Sequence, residues 1–133
     1  MEGEAALLDW TSSDKNLGIR LTKSPEGYLV FDSWPGGSRL ISKTKMKPGV
    51  WFHLAVAKNE QEVALYVNGQ KEASGAPPFR FAEDVGDLFL GALNNTQSRF
   101  HGLLDEVAFY GKALNASELK SIYGRREAAP CKP

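Results

Sequence analysis

Trp34, within Ser33-Trp-Pro-Gly-Gly37, and the run Asn94-Asn-Thr-Gln-Ser-Arg99 are the residues of this chain best suited to hold a ligand. Amide, hydroxyl and guanidinium groups make several directional hydrogen bonds at once, as sugar hydroxyls require. The apolar face of a sugar ring stacks on an aromatic side chain. The candidate ligand-binding residues are therefore Trp34, Asn94, Asn95, Gln97, Arg99 and His101, the last bordering the same polar loop. Asn, Gly and Ser are also ordinary turn formers, and a loop tryptophan can simply anchor a rim, so both readings stand.

Acid–base chemistry is poorly served. Cleavage of a glycosidic bond needs two carboxyl groups facing one groove, roughly 5 to 9.5 Å apart. Asp105 and Glu106 are adjacent in an alternating run, so in a strand they project to opposite faces and cannot act on one bond. Glu83, Asp84 and Asp87 fall in a loop after Pro77-Pro78. His53 and His101 lack a second ligand at metal spacing and a Ser or Cys in a recognisable elbow. No catalytic residue is assigned, and the chain reads as noncatalytic.

These residues must be positioned by strands. Short β-like runs separated by Gly, Pro, Asn and Asp recur along the chain, the spacing of an all-β sandwich rather than of βαβ units. Strands are expected at 6–10, 17–21, 28–33, 40–43, 51–58, 62–68, 71–73, 87–91 and 103–110. Asn68-Gly69 between alternating runs signals a two-residue hairpin turn, which turns Val63, Leu65 and Val67 toward the core. The run 51–58 is apolar on both faces, which predicts a central strand with Trp51 and His53 packed inside it. In 103–110, Asp105 shares a face with Leu103, Val107 and Phe109, and a buried carboxylate must be paired or hydrogen-bonded. Its expected role is to accept hydrogen bonds from loop backbone and tie the last strand down. One helix is expected over 116–123, capped by Asn115 with Glu118 three residues on, and stopped by Gly124. Lys43, Lys45 and Lys47 alternate along one face. They could attract a sulfated glycan or guard an edge strand against pairing.

Three separated stretches, in order, resemble the laminin G-like, concanavalin A-like domains: Trp51-Phe-His-Leu-Ala55, Leu65-Tyr-Val-Asn-Gly69, and Phe100-His-Gly-Leu-Leu-Asp-Glu-Val107 running on to Leu114-Asn115 and Glu118. Leu88, Leu90 and Gly91 fit the strand between, and Gly102 fits the closing one. The resemblance implies a two-sheet antiparallel jelly-roll sandwich with one short C-terminal helix. It also implies a lectin-like binding or adhesion module, outside the cell and normally part of a longer polypeptide. Glucanases that share the sandwich carry Glu-x-Asp-x-x-Glu, and no such run occurs here. Some relatives bind calcium through loop carboxylates, which makes Asp105 a candidate ligand for a structural calcium ion, although no Asp-rich loop supplies the six to eight oxygens the ion wants. No other cofactor is expected. Domains of the family open with one or two further strands that are not found here. Their lack would leave an edge to pair with a second copy of the chain.

Composition sets the bounds. At 133 residues the chain suits one domain, residues 1–124, followed by a basic, proline-containing tail over 125–133. Zero formal net charge gives no field to draw nucleic acid. No apolar run is long enough for membrane insertion, and the first residues lack the pattern of a signal peptide. Cys131 stands alone and excludes an internal disulfide. The expected partners are a carbohydrate or a protein. Asn94-Asn-Thr96 and Asn115-Ala-Ser117 also fit the glycosylation sequon.

Overall fold

The computed structural model describes residues 3–12, 14–78, 86–93 and 98–125. Among these residues eight strands and one helix follow one another: β1 (Ala5–Thr11), β2 (Gly18–Lys23), β3 (Tyr28–Trp34), β4 (Leu40–Lys45), β5 (Leu54–Lys58), β6 (Val63–Val67), β7 (Gln70–Gly75), β8 (Leu88–Leu90) and α1 (Ala116–Arg125). They form a five-stranded sheet, in the order β4-β3-β2-β1-β8, and a three-stranded sheet, in the order β5-β6-β7. All pairings between these strands are antiparallel.

The expected alternation places the core. Leu29, Phe31 and Leu40 from the large sheet meet Val63, Leu65 and Val67 from β6, with Leu7 completing a buried cluster. Leu29 and Leu65 are fully buried. Each such side chain contributes about 1.5–3 kcal/mol. Asn68 and Gly69 take φ of 49° and 78°, the left-handed pair that a type I′ turn demands. The Asn68 side chain has a second task. Its Oδ1 accepts the His53 N–H at 2.8 Å while its own N–H donates to the His53 carbonyl at 2.8 Å. The turn thus pins the chain entering β5.

Helix α1 covers the outer face of the small sheet, with Leu119 buried against Ala64 and Tyr66 and with Leu114 against the same cluster. Its start is the expected reciprocal cap. The Glu118 N–H donates to Asn115 Oδ1 at 2.8 Å, and the Asn115 N–H donates to Glu118 Oε1 at 3.2 Å. These bonds, the backbone one first and then Lys112, hold the Glu118 carboxyl below the ordinary range. Replacing Asn115 with Ala should cost about 1 kcal/mol in urea denaturation, the usual worth of such a cap.

Four expectations need correction. Gly124 does not stop the helix, which runs through it to Arg125. β5 begins at Leu54 rather than at residue 51, and Trp51 is 56% exposed. β5 is also an edge strand, and the centre of its sheet is β6, all five of whose residues are buried. Apolar residues on both faces show that both faces are covered, here by the core and by α1. They do not show that both edges are paired. Lastly, 103–110 forms no strand, and Leu103, Val107 and Phe109 are 74%, 49% and 56% exposed. Asp105 is exposed with them, and its Oδ1 accepts only a local bond, from the Glu106 N–H. An alternating pattern becomes a strand only beside another, and no strand pairs with this segment among the described residues.

Candidate ligand-binding face

The outward face of the large sheet carries a row of alternating charge. Asp9 of β1 lies opposite Arg20 of β2, and Arg20 opposite Asp32 of β3. Residues directly opposite share a face, so the three project together, away from the core. Arg20 Nε lies 3.3 Å from Asp9 Oδ1, and Arg39 Nη1 lies 3.5 Å from Asp32 Oδ1. The Thr11 hydroxyl donates to Asp9 Oδ1 at 2.7 Å. Asp9 is 1% exposed, which only an ion-paired and hydrogen-bonded carboxylate tolerates.

One pleat further, Thr11, Gly18 and Trp34 form the next row. Trp34 lies across Gly18. A Cβ on Gly18 would come within 2.9 Å of Trp34 Cζ2 and of the Thr11 Cα, so only glycine leaves room for the ring. The indole Nε1–H donates to the Lys15 carbonyl at 3.0 Å, and the Arg20 guanidinium carbon sits 5.4 Å from the ring centroid. The ring is therefore fixed at three points. The loop supplying Lys15 is itself built: Asp14 accepts from the Ser12 hydroxyl at 2.6 Å, the Asn16 N–H at 3.1 Å and the Asn16 amide at 3.1 Å. Those bonds, the Ser12 one foremost, hold the Asp14 carboxyl below its usual range.

An aromatic platform, a guanidinium and a half-exposed carboxylate thus converge at one end of the large sheet. This can do what sugars ask: stacking plus directed donors and acceptors. It is ill suited to glycosidic bond cleavage. Asp9 and Asp32 share a face across β2, but Asp9 is sealed and Asp32 is tied to Arg39.

Of the residues singled out from sequence that the structure describes, only Trp34 falls in this face. Arg99 bridges Ala6 at the other end of β1, five residues from Thr11, or roughly 17 Å along a strand. His101 is exposed beside it. Asn94, Asn95 and Gln97 lie outside the described residues, as do Glu83, Asp84 and Cys131. Arg20, Asp32 and Arg39 were missed. Arg20 is a lone charge between Ile19 and Leu21, and Asp32 is the lone charge that follows the apolar run 28–31. That pattern marks an outward-facing side chain. Lys43 and Lys45 project from edge strand β4, and Lys47 is exposed beyond its end.

A structure similar to this one is the 2.1 Å crystal structure of an S-layer domain-containing protein (residues 221–444) from Clostridium thermocellum ATCC 27405. The TM-score is 0.53 at 26% sequence identity, over 92% of this chain and 64% of that one. The chain thus spans somewhat less than two thirds of that structure. A laminin G family model, described as the concanavalin A-like lectin/glucanases superfamily, matches residues 2–120. With a sandwich of five and three antiparallel strands and one short helix, this chain belongs to the laminin G-type concanavalin A-like family.

Proposed function

We propose that this chain is a noncatalytic binding module that recognises carbohydrate through the Trp34 end of its large sheet, as part of a longer extracellular polypeptide. The observation that carries the reading is the fixed Trp34 ring beside Arg20 and Asp32, held by Gly18 and Lys15 in place before any ligand arrives. Preorganised aromatic platforms cost little entropy on binding, which suits ligands whose individual hydrogen bonds to protein merely replace those to water. The sealed Asp9 and the Arg39-bound Asp32 support the noncatalytic reading. The likeness to an S-layer domain-containing protein supports an extracellular setting.

A second reading, a structural or adhesion domain without a small ligand, is favoured by one observation. Exposed apolar side chains cluster at 103–110, where Leu103, Leu104, Val107, Phe109 and Tyr110 face solvent and Phe109 meets Trp10 of β1. A glycan array spanning neutral and sulfated oligosaccharides separates the two. The carbohydrate reading expects a discrete set of bound glycans, and silence across the array would leave the adhesion reading.

A further inference from the structure

The two sides of the sandwich are finished differently. On the β4/β7 side the sheets are sewn together. Glu72 Oε2 accepts the backbone N–H groups of Lys43 and Thr44 at 2.8 Å each, and the Thr44 hydroxyl also bonds its carboxylate. Ser38 and Ala76 exchange bonds of 2.9 and 2.8 Å. β4 further carries Lys43, Lys45 and a register shift, and β7 carries a register shift of its own. β8, the remaining edge of the large sheet, is only three residues long. Lysines, bulges, brevity and covering bonds are the usual protections of a sheet edge against strand addition.

β5 is less protected. It runs in unbroken register along β6, its one charge is the terminal Lys58, and it contains no proline. Among the described residues no strand lies on its outer side. Here the small sheet ends two strands short of the large one. Val56 shares a face with Leu54, which packs on the core, yet is 37% exposed. Leu90 faces inward opposite Leu8 and is 46% exposed. Phe109 reaches Trp10 of β1 edge-on at 5.8 Å, and Leu114 packs, like Ala55 and Ala57, against the Ala64–Tyr66–Leu119 cluster, so the chain between runs from β1 to the outer face of the small sheet.

We propose that a second copy of this chain adds across the β5 edge, β5 against β5 in antiparallel register about a two-fold axis at Val56. That pairing is self-complementary, as an isologous interface must be. Val56 meets Val56, Ala55 meets Ala57, and Leu54 meets Lys58, with no like charges opposite. The area suffices. Trp51, Phe109 and Tyr110 are each 56% exposed, which leaves on the order of 300 Å² of aromatic surface to cover. The exposed leucines and valines beside them bring the total toward the roughly 800 Å² per partner of a stable interface. This inference is independent of the carbohydrate reading, whose face lies on the outside of the other sheet.

Sedimentation equilibrium from micromolar to millimolar protein tests it. The expected result is a reversible dimer whose dissociation constant rises on the order of tenfold or more in Val56→Lys, which sets two ammonium groups opposite each other. Near-UV circular dichroism checks that the variant is folded. Should it not be, amide exchange of the unaltered chain at two concentrations serves instead, with residues 54–58 exchanging more slowly at the higher one. A monomer at every concentration would overturn the proposal and leave the edge to a strand from another polypeptide. So would a dimer that Val56→Lys leaves intact and whose β5 amides are insensitive to concentration.

Discussion

Replacing Leu65 with Ala should lower the unfolding free energy by about 3–4 kcal/mol, enough to bring the melting temperature down by roughly 10 °C in a domain of this size. Leu65 is fully buried at the middle of β6, the centre of the small sheet, and packs in the cluster that joins both layers. Neighbouring strands on both sides restrict collapse around the cavity, and limited collapse is what pushes such a cost toward the upper part of its range. The contrasting variant is Leu103→Ala. At 74% exposure it should stay within about 0.5 kcal/mol of the parent, as surface substitutions do. Were 103–110 a strand with Leu103 turned inward, the two variants would cost similar amounts. Paired urea denaturation curves therefore measure both where the core lies and where it ends.

Replacing Trp34 with Ala should weaken binding of any array-positive oligosaccharide by about 2 kcal/mol, some thirtyfold, with the fold intact. Trp34 is half-buried at the end of β3, and its ring contacts are local: Gly18 beneath it, Arg20 beside it, the Lys15 carbonyl at its Nε1–H. Removing the ring takes away the stacking surface but leaves the Asp9–Arg20 pair, the buried part of this face, in place. Gly18→Ala should act in the same direction from beneath, because its Cβ would sit 2.9 Å from Trp34 Cζ2 and push the ring from its position. Isothermal titration of the two variants against the parent reads both effects. A loss seen in Trp34→Ala together with a large loss of stability would instead make Trp34 a packing residue.

The parts of this structure legible in the sequence are those governed by short-range rules. The Asn68-Gly69 turn follows from backbone sterics, the Asn115/Glu118 cap from a spacing of three, and the inward set Val63, Leu65 and Val67 from period-two alternation. The Asp9–Arg20–Asp32 row was not legible, because it depends on register across three strands, and side chains 11 and 12 residues apart meet only once two hairpins have fixed it. The segment 103–110 failed for the opposite reason. Leu103, Val107 and Phe109 share a face at period two, but a strand is a relation between two segments, and no strand pairs with this one among the described residues. The same reasoning misplaced β5. Covered faces do not imply paired edges: those of β5 are met by the core and by α1, while among the described residues no strand pairs with its outer edge.

The indole N–H resonance of Trp34 offers the most direct reading of the ligand face, since its bond to the Lys15 carbonyl fixes it at the point where a sugar would stack. In a heteronuclear titration with an array-positive oligosaccharide, the Trp34 indole and the Gly18 and Arg20 amides should shift together while the Trp10 and Trp51 indoles stay unmoved. Shifts confined to Trp51 or to the segment around His101, with Trp34 silent, would place the ligand elsewhere on the molecule.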